Sequence, residues 1–348
     1  MNTEPEKPSV QDTATNPMDL TEEEATRYDR QMRLWGIEAQ QRMRNATILV
    51  VKLGGVATEA IKNVVLAGIG KLIIVDDENV REEDLGAGFF FRDSDVGRKR
   101  LDAAKSRIES LNPLVTVETI TENSASNEEW LESVVKTVDL VCVTDWNRDG
   151  LIRINDLCRK YNKPFYAGGT YGLYGYIFCD LLEHEYLSPD RTVPKEQAKT
   201  VKTTMNYSSL SSALTYRWTA LTKRKAKELN PAPLFAILGK HPCVWQFQST
   251  HGYLPDDSTL ADDLEKISNS ILTQADVNKQ VLPAIPRNVV ESFATTAAHE
   301  FSPICAIVGG MLAQDILKAL GGRDAPIANF FVFDGTIGGG TVCRLDMP

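Results

Sequence analysis

Metal-binding residues are scarce in this chain. Its 348 residues include four histidines and six cysteines, and no two cysteines form a Cys-x-x-Cys pair. Structural zinc sites are built on that spacing, so no metal site is expected. Cys142 lies in the run Val138 to Val143 and Cys305 in Ile304 to Val308. Both read as small buried hydrophobes in a reducing compartment. Positive charge is also short. The 38 Lys and Arg against 47 Asp and Glu give a net charge of −9, which argues against a broad surface for nucleic acid. No window approaches the roughly 18 consecutive apolar residues of a membrane span, and no charged-then-apolar secretory layout opens the chain. The expectation is an intracellular protein with no membrane and no nucleic-acid partner.

What is present is an alternation. Residues 1–20 are polar and proline-dotted and are expected to be disordered. Thr21 and Glu24 have capping-box spacing, which predicts a helix running from there toward Asn45. Ala46 to Val51 reads as a buried strand, Thr58 to Ala67 as a helix closed by Gly68, and Lys71 to Val75 as a second buried strand. Helical patterns over 97–111, 127–136 and 151–161 alternate with strands at 116–120, 138–144 and 164–167. Such alternation implies a parallel sheet with helices on both faces, hence an α/β, doubly wound, Rossmann-like fold.

The texture changes at His184. From 184 to 298 the chain is polar and proline-spaced and reads as an insertion; Ser302 to Leu320 and a last strand at 329–333 resume the α/β pattern. The expected organisation is a nucleotide-type domain over 21–183 and 299–348, interrupted by 184–298.

The turn after the first strand reads Val51-Lys52-Leu53-Gly54-Gly55-Val56-Ala57. An intact nucleotide turn uses its glycines to bend tightly, to let the backbone approach a pyrophosphate and to let helix pack on sheet. Lys52 and Ala57 replace two of them. Asp76, at the end of the second strand, stands where an acid binds ribose hydroxyls. Lys52 could pair with a phosphate, but its bulk fills the space the phosphate needs, so an occluded or weak site is expected.

Further segments make the pattern specific: Tyr28-Asp29-Arg30-Gln31 with Leu34-Trp35-Gly36; Glu59 with Lys62-Asn63; Phe89-Phe90-Phe91-Arg92 with Asp95-Val96-Gly97-Arg98; Gly169-Thr170-Tyr171-Gly172; Pro303 to Gly310 with Ala313-Gln314; and Asn329-Phe330-Phe331 with Phe333-Asp334-Gly335. Together they resemble the ThiF/MoeB-like adenylating family of ubiquitin-like-modifier activating enzymes, over about 21–183 and 299–340. Within it the chain is similar to the smaller, non-catalytic subunits of the SUMO-activating heterodimers.

The resemblance implies a division of labour. A larger catalytic subunit would bind ATP and Mg, adenylate the C-terminus of SUMO and capture it as a thioester for a conjugating enzyme. This chain would bind no cofactor and no metal itself. The departures from active members agree with that. Where those have a triphosphate-binding arginine this chain has Ala87; a lysine aligns with Arg100, which keeps charge but not geometry. Asp145 matches a magnesium-associated aspartate, but its usual asparagine neighbour is Trp146. The zinc-binding Cys-x-x-Cys pairs are missing. The degenerate pocket is thus read at Lys52, Gly54, Gly55, Ala57, Asp76, Ala87, Arg100 and Asp145. Arg30 is the exception, because the family's equivalent arginine reaches across the dimer into the partner's ATP. Without that context it would read as a surface ion pair with Glu23 or Asp29.

Other residues carry less. Cys243, in His241-Pro242-Cys243-Val244-Trp245, lacks the Cys-Thr motif of thioester subunits and reads as packing. The basic run Lys223 to Lys227 reads as a solvated helix face, with nuclear import as the competing reading. The resemblance implies a nuclear protein, also present in the cytoplasm. The alternatives are a non-catalytic subunit of the NEDD8-activating enzyme, which is usually much longer, a self-sufficient homodimeric adenylating enzyme, which Ala87 opposes, and a nicotinamide oxidoreductase.

Overall fold

The structure is a computed structural model that describes residues 20–122, 124–189, 200–219, 221–222, 224 and 243–347. Residues 1–19 of the tail expected over 1–20, most of the basic run and His241 lie outside the described residues.

The first helical stretch is two helices. Helix α1 (Glu22–Trp35) opens on the expected capping box, in which Thr21 and Glu24 satisfy each other's backbone N–H groups. It ends where Gly36 adopts φ 86°, and α2 (Ile37–Asn45) starts afresh. An interrupting glycine gives the chain a conformation that side-chain-bearing residues avoid.

The core is an eight-stranded sheet. Its strands, with the helices between them, are β1 (Thr47–Val51), α3 (Gly55–Ala67), β2 (Lys71–Val75), α4 (Arg100–Leu111), β3 (Thr116–Ile120), α5 (Glu128–Val135), β4 (Leu140–Thr144), α6 (Arg148–Lys160), β5 (Phe165–Tyr171) and β6 (Tyr174–Asp180). After β7 (Glu183–Pro189), β8 (Thr200–Asn206), α7 (Leu210–Leu214), α8 (Cys243–His251), α9 (Ala261–Gln274), α10 (Arg287–Thr296) and α11 (Ser302–Gly321), the chain returns as β9 (Phe330–Asp334) and β10 (Gly339–Cys343).

The strand order is β10-β9-β6-β5-β4-β1-β2-β3. Strands β3, β2, β1, β4 and β5 run parallel, in agreement with the alternation. The all-parallel expectation needs correction at the other edge, where β6, β9 and β10 pair antiparallel. Strand β6 returns directly from β5 through Gly172 at φ 61°, without a crossover helix. Every residue of β5 and β6 is buried, so neither strand shows the polar alternation that would announce a hairpin.

Successive residues of β1 enter different cores. Ile48 and Val50 face α3, α4 and α11, whereas Leu49 and Val51 face α5, α6 and the helices of the 184–298 region. Trp245, Phe247, Leu264 and Phe293 of that region share a hydrophobic cluster with Tyr174, Tyr176 and Phe178 of β6. The inserted helices therefore pack onto the sheet's own core, while β7 and β8 form a separate two-stranded ribbon.

Helix α11 is long and apolar enough, by length and composition, to cross a membrane, and half of that window is buried in the protein. It lies against α3. A Cβ on Gly309 would come within 2.6 Å of the Val56 carbonyl oxygen and of the Glu59 Cβ, so only glycine permits this close approach of α11 to α3. Gly310, by contrast, faces open space.

Candidate functional site: a self-occupied cleft and a distant arginine

Strand β1 crosses to β2 on one side, and β4 lies on its other side, so the order reverses between β1 and β4. Open α/β sheets bind ligands at the carboxyl ends of the strands beside such a reversal. A cleft of about 1140 Å³ occupies that place, with Lys52 after β1 and Asp145 after β4 on its wall. Gly54, Thr170, Arg100 and residues 297–301 also line it.

Of the degenerate residues, Lys52, Gly54, Arg100 and Asp145 line this cleft, and its cations are held by its carboxylates. Lys52 holds φ 72°, the left-handed conformation of the glycine it replaces. Its ammonium pairs with Glu78 and lies 5.7 Å from the Trp146 ring centroid. Arg100 donates to both Asp84 oxygens, from Nε to Oδ2 at 3.0 Å and from Nη2 to Oδ1 at 2.7 Å. It also reaches Glu78 at 3.0 Å and Asp76 at 3.6 Å. Burial works against its charge, but the bond to Asp84 and the charges of Asp76 and Glu78 outweigh that and raise its pKa. The Asp76 carboxylate is engaged at both oxygens, by the N–H groups of Leu53 and Glu78, each at 2.7 Å. The acid expected on ribose thus braces the β1 turn instead. Burial raises its pKa against the pull of Arg100.

The N-terminus of α3 is where phosphate sits in a nucleotide fold, because free N–H groups and the helix dipole meet there. The Gly55 N–H instead donates to the Glu300 carboxylate, at 2.9 Å to Oε1 and 3.1 Å to Oε2. A Cβ on Gly54 would come within 2.5 Å of an Asp145 oxygen and 3.1 Å of Glu300, and one on Gly55 within 3.0 Å of the Ala87 Cβ. In a nucleotide-binding turn such glycines make room for phosphate; in this cleft two carboxylates fill that room. Crowding by the protein and the charge of Glu300 push the Asp145 carboxyl well above the usual carboxylate range, although its side of the cleft is open to water. Glu300 is likewise raised by burial, against the Gly55 N–H.

The residues present do not fit a nucleoside triphosphate with its metal. Among the described residues, six carboxylates line the cleft, those of Glu78, Glu83, Asp84, Asp145, Asp256 and Glu300, against three cations, Lys52, Arg81 and Arg100. All three cations already have carboxylate partners. A polyphosphate entering the cleft would meet net negative charge and displace Glu300. Ala57 is buried within α3, away from this chemistry. Glu300 is not legible from sequence: it lies 245 residues from its partner Gly55, in a segment without motif.

Arg30 stands elsewhere. Helix α1 is fastened to the far end of α3, where Gln31 donates to the Ala67 carbonyl at 2.9 Å and the Tyr28 hydroxyl accepts from Asn112 at 2.8 Å. The expected surface partners of Arg30 are taken by others. Asp29 pairs with Arg33 at 2.8 Å and Glu23 with Arg27 at 3.8 Å. Arg30 is exposed and forms no ion pair among the described residues. Its neighbours Leu34 and Ile37 are 83% and 60% exposed, so an apolar surface accompanies the guanidinium. The 13 residues of α3 separate it from its own cleft by about 20 Å.

The remaining candidates are peripheral. His184 stacks on Tyr186, and the His251 ring packs on Phe247. Cys243 begins α8, and its side chain lies outside what is described. Among the described residues no three His, Cys, Asp or Glu side chains are grouped to hold a metal.

A doubly wound sheet with a cleft at its reversal, a glycine turn and a long glycine-containing helix packed on α3 defines a dinucleotide- or adenylate-type α/β protein. The ThiF family model matches residues 28–345, and the chain belongs to the ThiF family. It is 36% identical over 344 residues to a Bos taurus protein named SUMO-activating enzyme subunit 1, covering 93% of this chain and 95% of that one. The human and Danio rerio proteins of the same name are 35% and 34% identical, each over 93% of this chain and 95% of the relative. Among solved structures, that of PaaA superposes with a TM-score of 0.58 at 16% identity, over 97% of this chain and 78% of that one, which speaks to fold alone.

Proposed function

We propose that this chain is the non-catalytic subunit of a SUMO-activating enzyme, paired with a larger subunit that holds ATP and Mg. There it supports adenylation of SUMO's C-terminus, thioester capture and delivery to a conjugating enzyme. The similarity to proteins named SUMO-activating enzyme subunit 1 over nearly the whole chain supports the assignment. A nuclear location, with some protein in the cytoplasm, belongs to the same proposal.

The position of Arg30 carries the mechanistic part. An exposed guanidinium without an ion pair among the described residues, at the end of α3 opposite its own cleft and so about 20 Å along that helix, is free to reach a phosphate on another molecule. Its five donors in a fixed fork suit the oxygens of an α-phosphate under attack by a carboxylate. The dimer face is proposed on α3 and α11, which pack together and leave Leu66, the nearby Phe89 and Ile307 exposed; Lys62 lies 4.4 Å from the Phe89 ring centroid.

The test is ATP–pyrophosphate exchange dependent on SUMO, with this chain assembled on the larger subunit. Arg30→Ala is expected to lower exchange by about 10–10³-fold without loss of the complex, as for a lost transition-state donor. Arg30→Lys should rescue only part, and Arg33→Ala, which merely frees Asp29, should change little. Wild-type exchange by the Arg30→Ala complex at limiting ATP would remove the role in trans. Robust exchange by the purified single chain would contradict the non-catalytic reading.

A further inference from the structure

The misfit between this cleft and a nucleotide has a specific cause. We propose that Glu300 is an internal stand-in for phosphate: its carboxylate occupies the anion position at the N-terminus of α3, closing the cleft to phosphate ligands and tying the end of the 184–298 region to the glycine turn. The inference rests on the reading of this cleft as one that holds no nucleotide, and not on the role of Arg30.

Three observations meet at this residue. Both Glu300 oxygens lie within hydrogen-bond distance of the first N–H of α3, at 2.9 and 3.1 Å. Gly54 supplies no side-chain cap to that helix, so the carboxylate provides the cap from 245 residues away. The glycines that would otherwise admit phosphate are in close approach to it: Cβ atoms on Gly54 and Gly55 would each stand 3.1 Å from a Glu300 oxygen.

The same residue is a joint. On one side, the His299 carbonyl accepts the Gly172 N–H at 3.2 Å, and Glu300 bridges to Gly172, fixing residues 299–300 to the β5–β6 turn. On the other, Phe301 and Ser302 lead straight into α11, which packs on α3. An acidic side chain at a helix N-terminus is favoured by the dipole and satisfies an otherwise unpaired donor. Once it is seated, a phosphate can enter only by displacing it and by facing Asp145, whose oxygen would lie 2.5 Å from a Cβ on Gly54.

The test uses the full-length chain with inorganic phosphate as probe, at constant ionic strength against chloride. Thermal unfolding and deuterium uptake over residues 54–58 are the readouts. In the wild type, phosphate should change neither. Glu300→Ala should lower the unfolding midpoint by roughly 1–3 °C, as for a lost helix cap in a chain of this size. Uptake over 54–58 should rise, and added phosphate should reverse both changes. Phosphate that protects the wild type as strongly as the variant would overturn the proposal, because the site would then already be open. So would a destabilised Glu300→Ala chain that phosphate does not rescue, since Glu300 would then be a structural tie only. Should Glu300→Ala fail to accumulate as folded protein, Glu300→Gln decides. It retains the shape but loses the charge, and faster uptake over 54–58 that phosphate reverses supports the stand-in, whereas unchanged uptake overturns it.

Discussion

At the Gly55 end of α3, each cation lining the cleft has a carboxylate partner: Lys52 and Arg81 with Glu78, and Arg100 with Asp76, Glu78 and Asp84. Toward the Ala67 end, Arg30 has none among the described residues, although Asp29 and Glu23 are close by along the chain and each serves another arginine. Proximity to an acid does not decide whether an arginine is spoken for. In the cleft, each lining cation is matched by a fixed carboxylate, as low solvent access demands, while Asp145 and Glu300 form no ion pair among the described residues and have raised pKa values. On α1, water solvates Arg30, and nothing in the fold needs it. Arg30, beside exposed Leu34 and Ile37, is therefore free for the role in trans proposed above. The two ends should therefore respond oppositely to mutation: cleft charges through stability, Arg30 through activity.

The largest effect is expected at Arg100. Its removal leaves Asp76, Glu78 and Asp84 crowded without their shared cation, and breaking a buried ion cluster by deleting one partner costs about 3–5 kcal/mol. Arg100→Ala should therefore unfold at markedly lower denaturant concentration. The adenylation rate per folded complex should stay near wild type. Arg30→Ala should give the mirror image, with unfolding shifted by no more than about 0.5 kcal/mol. A variant at Arg100 that stayed fully stable and lost adenylation would abolish the contrast and make the cleft functional.

Asp145 sharpens the contrast through pH. Its folded pKa is raised by crowding and by Glu300, with Arg100 and Lys52 acting in the opposite direction. The folded state therefore holds this proton more tightly than the unfolded chain, whose aspartate titrates near 3.8. Below that value Asp145 does not alter stability; as pH climbs through the raised pKa, ionisation penalises the folded state. Asp145→Asn removes the penalty. The variant should be more stable than wild type, with a gap that opens in denaturant unfolding as pH rises above the unfolded value of 3.8. In a working magnesium site the same change would abolish activity; in this chain SUMO-dependent exchange by the assembled enzyme should persist. A gap that narrows with rising pH would show that Asp145 is held ionised by its cations.

How much of this the sequence discloses follows from distance along the chain. The capping box at Thr21 and Glu24 and the parallel strands β1 to β5 are local signals, carried by spacing and by apolar runs, and they are legible. Of the eight residues read as a degenerate pocket, Lys52, Gly54, Arg100 and Asp145 do share the cleft wall, because a known turn and its departures fix where they meet, whereas Ala57 is buried within α3. The antiparallel edge is not legible, since β6 is buried on both faces and has the composition of a parallel strand. The break at Gly36 is hidden inside continuous helical spacing. Glu300 is invisible for a different reason: nothing within its own neighbourhood distinguishes an acid that caps α3 from one that faces solvent. The partners of Arg100 belong to the same class, for Asp84 is 16 residues away and no helical rule links them.

The smallest expected change is the most direct test of why the cleft is closed. Lys52 carries φ 72° where the family has glycine, and a left-handed conformation costs a side-chain-bearing residue about 1–2 kcal/mol. Lys52→Gly relieves that strain, but glycine adds roughly 0.5–1 kcal/mol of chain entropy to be lost on folding. It also gives up a partly solvated pair with Glu78, worth about 0.2–1 kcal/mol. These terms nearly cancel, so the unfolding free energy should move by less than about 1 kcal/mol. Phosphate binding should not appear either, because restoring the first glycine leaves Glu300 on the Gly55 N–H and Ala87 in place of the arginine. Only the double change Lys52→Gly with Glu300→Ala should acquire phosphate-dependent protection over residues 54–58 beyond that of Glu300→Ala by itself. If Lys52→Gly alone acquired such protection, the lysine rather than Glu300 would be what keeps phosphate from this cleft.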